Sequence, residues 1–571
     1  MKRGILSHII LDSYILCIII ALSLILTAIA DIGIAWYGKV MLDSAVQLKI
    51  NPNNILQYLL LGIAVNSLGG IATFISNYSI MRLIKKSILK IRISFFTGIQ
   101  KMTFLKLQEI GPSTLITRFN VDVNAIESAI NNGILIIKNP FIAIVVFVYL
   151  ASINWKYAIF TIIVGPASLL TGRLFGKKFK KLNELLLKSN DELNNFINDS
   201  VPGSITIRAY SMQNYLIKYF KEISQKTYNI ENRINILTSL LQGLSWLLVG
   251  IPFSLIFIAG GIFVTRGDIS VGELLIFLQL SNKVTYPFVG LGTQIAQFRQ
   301  AKASLERLEE VINTEDIEMI SNVTTPVEPL NIVKIEYENV SLSIKDKLIL
   351  KNINFTLYSN ESIAIVGENG SGKSTLLNTI IGLYQIKTGK IKFNDEDIKA
   401  FDLLRIRSSI TYISQVPFIF EINVEDSLKK VKHDIMSEQD NIKIKHFIEQ
   451  MLLFDKAYEL KILRNGINIS QGQKQRLAIA RGLTNIKNVV LFDEPFASLD
   501  PVSIKGFLEV IDEIKKNRIL VVVNHFVSTF AHFDKIIFLK NGEIRAIGPH
   551  DKLMETNREY NQFCKILESK T

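Results

Sequence analysis

The chain has 571 residues, of which 49% are hydrophobic and 20% are charged, and its formal net charge is +13. This hydrophobic share is high for a soluble protein, yet the charged share is too high for a chain that lies wholly in a membrane, so we predict one membrane part and one soluble part. The two cysteines, Cys17 and Cys564, lie near opposite ends of the chain, which excludes a disulfide framework and a CxxC metal site.

Long apolar runs recur through the first half of the chain. A helical membrane span needs about 20 apolar residues, and no small-residue cleavage site stands out before Asp31. We therefore predict that the first run is a retained transmembrane helix and not a signal peptide. The six predicted spans are residues 13–36, 55–78, 134–153, 157–175, 237–264 and 271–288.

Charge predicts the orientation of these spans. The two long loops, residues 82–133 and 176–236, carry eight and ten Lys or Arg, whereas the other three loops together carry four. Basic residues concentrate on the cytoplasmic side of membrane proteins, so we expect both long loops in the cytoplasm. Six spans place both termini on that same side. The basic surplus then marks membrane topology, and nucleic acid is not an expected partner.

The pattern changes after the sixth span. Residues 313–333 contain two prolines and several acidic residues without a regular period, which is typical of a linker. Short β-branched runs then alternate with helical stretches, as in a mostly parallel α/β sheet. We predict a multi-domain membrane protein: an all-α six-helix transmembrane domain (1–312), a linker (313–333) and an α/β domain (334–571). In this last domain the glycine-rich run 367–375 follows a β run and precedes a helical run, which is typical of a P-loop NTPase.

A glycine-rich loop lies between a β run and a helical run in the second half. Its glycines let backbone N–H groups turn inward toward phosphate oxygens, and the following helix N-terminus adds its dipole. The lysine would neutralise the β- and γ-phosphates of a nucleotide, and the following serine would bind Mg²⁺. The predicted ATP-binding residues are Gly367, Glu368, Asn369, Gly370, Ser371, Gly372, Lys373, Ser374 and Thr375.

A second run of β residues ends in two adjacent carboxylates, Asp493 and Glu494. We expect Asp493 to hold Mg²⁺ and Glu494 to polarise the attacking water. Asp-Glu at the end of a strand is a weak signal alone, but here it follows Lys373 by 120 positions.

A third motif, Ser470-Gln471-Gly472-Gln473, opens a helical run. It resembles the signature of ATP-binding-cassette (ABC) proteins. Other positions resemble further motifs of that family in the expected order. Gln415 resembles the Q-loop glutamine, Asp500 the D-loop aspartate and His525 the switch histidine.

The membrane half resembles the same family less specifically. Arg118 and Asp122 resemble the first cytoplasmic loop of exporter-type members, and Ser304 and Arg307 resemble the run that leaves the sixth helix. Six spans followed by one C-terminal cassette resemble the half-transporter layout of bacterial multidrug, lipid and peptide exporters.

The resemblance implies a dimer in which each ATP lies between the P-loop of one cassette and the signature of the other. Ser470, Gly472 and Gln473 would then contact the nucleotide held by the partner's Lys373. The resemblance also implies catalytic roles for Glu494, His525 and Gln415, with Gln415 as a further Mg²⁺ ligand. The second half-transporter is expected to be either an identical or a different chain.

The chain departs from the family pattern at two positions in this site. Gln471 occupies the place where the family usually has glycine, and Ile344 the place of an aromatic residue that stacks on adenine. Loss of stacking is worth on the order of 1 kcal/mol, which predicts weaker or less base-selective nucleotide binding. We still expect ATP hydrolysis, because Lys373, Asp493 and Glu494 are present.

Asp31 lies in the first predicted span and Lys283 in the sixth, and both are ionisable. Such residues tend to face the interior of a helix bundle or a cavity. For Lys283 two interpretations stay open: it contacts an anionic or amphipathic substrate, or it belongs to an intramembrane ion pair or reaches toward an interface. Its polar neighbours are Gln279, Asn282, Thr285 and Tyr286.

These observations predict an ATPase that moves substances across a membrane. The leading hypothesis is export of a hydrophobic or amphipathic drug, lipid or peptide by a dimer in a bacterial cell membrane, with the cassette in the cytoplasm. The alternatives are an ATP-gated channel or regulatory subunit, and an importer built on the exporter fold, for siderophores for example.

Overall fold

A computed structural model describes residues 14–46, 55–162, 164–285, 287, 291–318, 328–345, 347–419, 421, 442–452, 461–463 and 466–569. The central residues of the predicted linker, 319–327, lie outside these ranges, and so does Tyr286, one of the polar neighbours of Lys283. The chain divides into two compact units. The first comprises Met1–Gln100 and Gly111–Thr314, and the second comprises Lys101–Ile110 and Glu315–Thr571.

The first unit is helical. Within the described residues, three helices are long and apolar enough to cross a membrane by length and composition: Tyr14–Val46, Leu56–Lys101 and Pro112–Ile153, the last of which includes a π-helical turn at Arg118–Asp122. The helices of this unit are α1 (Tyr14–Val46), α2 (Ile55–Lys101), α4 (Pro112–Thr117), α5 (Val123–Ile153), α6 (Trp155–Ile162), α7 (Val164–Ser200), α8 (Ser204–Ala209), α9 (Gln213–Thr265), α10 (Val271–Thr285) and α11 (Leu291–Ile312). The helix α3 (Phe104–Ile110) falls in the second unit.

Tyr157 lies at the centre of an apolar cluster in the first unit. Its ring is fully buried and packs on Phe277 and Phe263 at centroid distances of 4.3 and 5.3 Å. Its hydroxyl donates a hydrogen bond to the Ile256 carbonyl, so the buried polar atom is satisfied. A side chain at position 260 would overlap the Tyr157 hydroxyl, which explains why Gly260 lies beneath this ring.

Asp122 joins two segments of the first unit that are distant in sequence. Its buried carboxylate accepts hydrogen bonds from the Ser304 hydroxyl at 2.8 Å and from Arg307 Nε at 2.9 Å. Nearby, Arg118 pairs with Glu310 at 2.8 Å and donates to the Arg307 carbonyl at 3.0 Å. The loop residues and the residues of α11 that carried the family resemblance are therefore in direct contact.

The second unit contains two sheets. The four-stranded antiparallel sheet has the order β2-β1-β4-β5, and the six-stranded sheet has the order β10-β9-β3-β8-β7-β6, in which only the β10 pairing is antiparallel. The strands are β1 (Lys334–Ile344), β2 (Lys347–Tyr358), β3 (Glu361–Gly367), β4 (Thr388–Phe393), β5 (Glu396–Asp397), β6 (Ile410–Ile413), β7 (Val489–Asp493), β8 (Ile519–Val523), β9 (Lys535–Lys540) and β10 (Glu543–Gly548).

The central strands β7 and β8 are buried at every position, as expected for parallel strands covered on both faces. Two apolar clusters lie on the two sides of the larger sheet. The helices of this unit are α12 (Lys373–Ile380), α13 (Leu403–Ser408), α14 (Ile442–Met451), α15 (Gln471–Thr484), α16 (Pro501–Lys515), α17 (His550–Thr556) and α18 (Arg558–Glu568).

A short segment of the first long loop belongs to the second unit. The Thr103 N–H donates to the Asp316 carbonyl at 2.8 Å, and Met102 forms a β-bridge with Ile317. The ring of Phe104 meets Tyr384 edge to face at 5.7 Å. Residues 101–110 thus pack with the cassette although membrane-unit residues flank them on both sides.

We expect Asp122→Ala to destabilise the first unit, because it removes the acceptor of Ser304 and leaves the Arg307 guanidinium without its carboxylate. Since Arg307 is about half exposed, water compensates part of the loss, and the expected cost is about 1–2 kcal/mol. This corresponds to a fall of about 3–6 °C in the unfolding temperature of the purified protein.

The matched control is Glu127→Ala, which removes the carboxylate of an ion pair with the exposed Lys85. It should change the unfolding temperature by about 1 °C or less, because exposed ion pairs contribute little. Equal shifts in the two variants would contradict the structural role assigned to Asp122.

Candidate ATP site

The glycine-rich loop connects β3 to α12 in the second unit. Gly367, Gly370 and Gly372 all have positive φ angles, of 153°, 80° and 104°. The Lys373 ammonium donates hydrogen bonds to the carbonyls of Gly367 at 3.0 Å and Glu368 at 2.9 Å. The loop therefore closes around the lysine at the N-terminus of α12, where backbone N–H groups favour an anion.

The first glycine of this loop has no room for a side chain. A Cβ at position 367 would lie 2.1 Å from the Leu539 carbonyl oxygen, whereas a Cβ at position 370 would meet nothing within 4 Å. The buried hydroxyl of Ser371 has no hydrogen-bond partner among the described residues. An unsatisfied polar atom in such a loop fits a cradle for phosphate oxygens.

Asp493 ends β7 beside this loop and is buried. Its carboxylate accepts a hydrogen bond from the Ser374 hydroxyl at 3.0 Å. Burial raises the pKa of Asp493, and the hydrogen bond from Ser374 opposes that shift. A hydroxyl and a carboxylate side by side are the oxygen ligands that Mg²⁺ prefers, so these residues fit the ion.

Glu494 accepts hydrogen bonds through both carboxylate oxygens. The Gln415 side-chain amide donates to one at 2.6 Å, and His525 Nε2 lies 2.8 Å from the other. The hydrogen bond with His525 lowers the pKa of Glu494, against the effect of its partial burial. Glu494 also has φ of 51°, a strained value for a residue with a side chain.

The pKa values of these two adjacent carboxylates are therefore shifted in opposite directions. The pKa of Asp493 is raised by burial and that of Glu494 is lowered by His525. Burial also lowers the pKa of Lys373, while the charges of Glu494 and Asp493 oppose this. Neighbouring groups with divergent pKa values are typical of sites that perform acid–base chemistry.

Ser470 caps the N-terminus of α15. Its hydroxyl accepts from the Gln473 N–H at 3.2 Å, and the Gln473 side chain accepts from the Ser470 N–H at 2.7 Å, which forms a capping box. Ser470 and Gln471 are exposed. A side chain at Gly472 would lie 2.8 Å from the Ser498 carbonyl oxygen, so only glycine allows this approach.

Asp500 caps the N-terminus of α16 and also forms an ion pair with Arg476 of α15. The hydroxyl of Ser503 donates to it at 2.6 Å and is the main cause that lowers the pKa of Asp500 to about 2. Asp500, which resembles the D-loop aspartate, is thereby linked to α15, the helix that begins within the signature. The sequence alone did not identify Arg476 or Ser503 as its partners.

The predicted site residues thus fall into two groups. Lys373, Ser374, Asp493, Glu494, Gln415 and His525 converge on one edge of the larger sheet. In the ranges that the structure describes, no hydrogen bond or ion pair joins Ser470–Gln473 to that group. Ile344 ends β1 and packs partly buried against one apolar cluster.

In the first unit, the ammonium of Lys283 forms an ion pair with Asp31 at 2.8 Å. Of the polar neighbours of Lys283, Asn282 is exposed, but Thr285 is buried and donates to the Ser281 carbonyl at 3.2 Å. Sequence reasoning missed Lys138 of α5, which is close enough to interact electrostatically with both charges. Its signal was visible, because it is the single charged residue in the predicted span 134–153.

Comparison with known proteins identifies the family. Residues 16–288 match the family described as "ABC transporter transmembrane region", and residues 350–497 match the family described as "ABC transporter". The chain belongs to the ABC transporter family. It carries one transmembrane region followed by one cassette, which is the layout of an exporter-type half-transporter.

Relatives of this ABC transporter match it along most of its length. The chain is 26% identical over 556 residues to the "ATP-dependent lipid A-core flippase" of Haemophilus influenzae (strain ATCC 51907), covering 96% of this chain and 94% of the relative. It is 28% identical over 489 residues to the "Multidrug resistance-like ATP-binding protein MdlA" of Buchnera aphidicola, covering 83% of each.

The solved structure of a bacterial Atm1-family ABC exporter with ATP bound shares the fold, with a TM-score of 0.78 at 18% identity, over 96% of this chain and 98% of that one. Family membership establishes that the chain is a multi-pass membrane protein that binds ATP. It also establishes an ATPase activity that is coupled to transport.

We expect Gly367→Ala to destabilise the cassette more than Gly370→Ala. Both positions have positive φ, which costs about 1–2 kcal/mol for a residue with a Cβ. Only Gly367 adds a steric overlap with the Leu539 carbonyl, which requires the backbone to move. Thermal unfolding of the two purified variants measures the difference, and a larger loss in Gly370→Ala would contradict the predicted order.

Proposed function

We propose that the chain hydrolyses MgATP to export a hydrophobic or amphipathic substrate, and that it works as a dimer of half-transporters. The observation that supports this best is the network in which Glu494 is held by Gln415 and His525 beside Asp493, Ser374 and Lys373. The lipid A-core flippase and the multidrug-resistance-like relative lead to the proposed substrate class.

In the proposed mechanism, the loop N–H groups and Lys373 bind the phosphates of ATP. Ser374, Asp493 and Gln415 would hold Mg²⁺, which would neutralise charge on the phosphate oxygens. Glu494 orients and polarises the attacking water, and the hydrogen bond with His525, which lowers the pKa of Glu494, favours the carboxylate form that this role needs. His525 fixes the carboxylate in place, because it bonds one oxygen while Gln415 bonds the other.

The dimer is proposed from the position of the signature. Ser470 lies exposed at the N-terminus of a 14-residue helix, and a helix N-terminus favours an anion. Within the described ranges it has no contact with the phosphate-binding group of its own chain. A partner cassette would bring its own loop and nucleotide to this surface.

We also propose that the cassette lies in the cytoplasm of a bacterial cell, beneath the inner or plasma membrane. The excess of Lys and Arg in residues 82–133 and 176–236 supports this orientation. Residues 101–110 of the first of these loops pack with the cassette, which supports a common side of the membrane for that loop and the cassette. The partner is proposed to be either a second copy of this chain or another half-transporter.

Glu494→Gln should lower the ATPase rate at least 100-fold and leave ATP binding within about threefold of the wild type. The substitution removes the charge that polarises water and keeps the shape of the side chain. Phosphate release by the purified protein in lipid nanodiscs measures the rate. The matched control is Glu396→Gln on the exposed short strand β5, which should retain the full rate. Equal rates for wild type and Glu494→Gln would refute the role of Glu494.

A complementation experiment tests whether the site is shared between two chains. Lys373→Ala and Ser470→Arg should each be inactive as homodimers. Co-expression of the two variants yields mixed dimers that contain one intact pair of wild-type Lys373 and wild-type Ser470 on opposite chains. Purified with one tag on each variant, these mixed dimers should regain ATPase activity. Mixed dimers as inactive as the parents would contradict a site formed in trans.

A further inference from the structure

Three helices of the first unit pack against one another in pairs, α1, α5 and α10. Within their predicted spans, α1 carries Asp31, α5 carries Lys138 and α10 carries Lys283. Nearer the end of α1 and the start of α10, Lys39 forms an ion pair with Glu273 at 2.8 Å. The inner three residues therefore form a separate group of charges.

The depth of this inner group follows from helix geometry. The end of α1 and the start of α10 lie together, because Asp43 accepts a hydrogen bond from the Gly272 N–H at 2.8 Å. Asp31 and Lys138 precede the ends of α1 and α5 by 15 residues each, and Lys283 follows the start of α10 by 12. At 1.5 Å per residue these charges lie about 18–23 Å from those helix ends, and each falls inside a predicted span.

The group is not electrically balanced. Lys283 and Asp31 neutralise each other at 2.8 Å, and their side chains are 45% and 25% exposed. Lys138 lies on α5, which packs against both α1 and α10, but among the residues that the structure describes it has no ion-pair partner of its own. Two lysines and one aspartate leave one positive charge in excess. A structural ion pair explains Asp31 and Lys283, but it does not explain the third charge.

An uncompensated ammonium at membrane depth is costly, and it repels the ammonium of Lys283 nearby. A second anion between the two lysines removes both penalties. The partial exposure of Lys283 leaves this position open to a ligand, and the surrounding helices offer apolar surface. The ligand that satisfies both features has an anionic headgroup on an apolar body.

We propose that Lys138, Lys283 and Asp31 form a headgroup site that selects amphiphiles carrying an anionic group such as a phosphate. Lys138 and Lys283 bind the anion, and Asp31 orients Lys283 and tunes the affinity. This inference rests on the proposed export function, because it specifies the class of substrate that enters the membrane unit.

The test is equilibrium binding of radiolabelled oleoyl lysophosphatidate to the purified full-length protein in uncharged detergent without nucleotide. The wild type should bind it at least tenfold more tightly than oleoyl lysophosphatidylcholine, which has the same chain and no net charge. Glycerol 3-phosphate, the headgroup without the chain, should not compete at a hundredfold excess. Equal affinity for the two lipids, or full competition by glycerol 3-phosphate, would overturn the proposal.

The variants separate a binding role from a structural one. Lys138→Ala should weaken binding about tenfold, because one charge-assisted contact is lost, and Lys138→Arg should restore it to within about threefold. The control Lys156→Ala alters a lysine at the start of α6 and should bind as the wild type. Unchanged affinity in Lys138→Ala would overturn the proposal.

Asp31→Asn provides a result that misfolding cannot imitate. It removes the competing carboxylate, so lysophosphatidate should bind more tightly, by about threefold or more. Weaker or unchanged binding in this variant would overturn the tuning role of Asp31.

The outcome is independent of ATP hydrolysis. Glu494→Gln should bind lysophosphatidate as the wild type does. If Glu494→Gln kept its full ATPase rate while the lysine variants behaved as expected, the proposed catalytic role would fail and the headgroup site would stand.

Discussion

The chemistry of the cassette depends on the parallel register of three neighbouring strands, β3, β8 and β7. Ile365 of β3 lies opposite Val523 of β8, and Val523 lies opposite Asp493 of β7. Because the carboxyl ends of parallel strands share one edge, the phosphate loop, the two carboxylates and His525 all follow those ends. The Asn524 N–H donates to the Ile365 carbonyl and the Glu494 N–H to the Val523 carbonyl, which extends this register into the site.

In the first unit, polar contacts link long apolar helices that are distant in sequence. Asp122 holds Ser304 and Arg307, and Asp43 holds the start of α10. Each carboxylate joins segments more than 180 residues apart in the chain. Both carboxylates lie outside the predicted spans, so these contacts specify which helices are neighbours beyond the apolar stretches.

The sequence predicted the cassette in more detail than the membrane unit, for physical reasons. The P-loop has a fixed local geometry, so Gly367 and Lys373 could be placed from spacing alone, and the strand that ends in Asp493 was readable as an apolar run. The ion pair of Lys283 with Asp31 was one of two open interpretations, because apolar periodicity does not reveal which helix faces which. The intrahelical hydrogen bond of the Thr285 hydroxyl to the Ser281 carbonyl likewise left no pattern in the sequence. The packing of Phe104 on Tyr384 depends on tertiary contacts that leave no local pattern.

The division of the chain has a mechanical consequence. The backbone passes between the two units at three points, after Gln100, after Ile110 and after Thr314. The first crossing ends α2, a continuous helix of 47 residues and about 70 Å. The two units are therefore joined by three covalent connections, one of which continues a helix that is longer than the full thickness of a membrane with its headgroups.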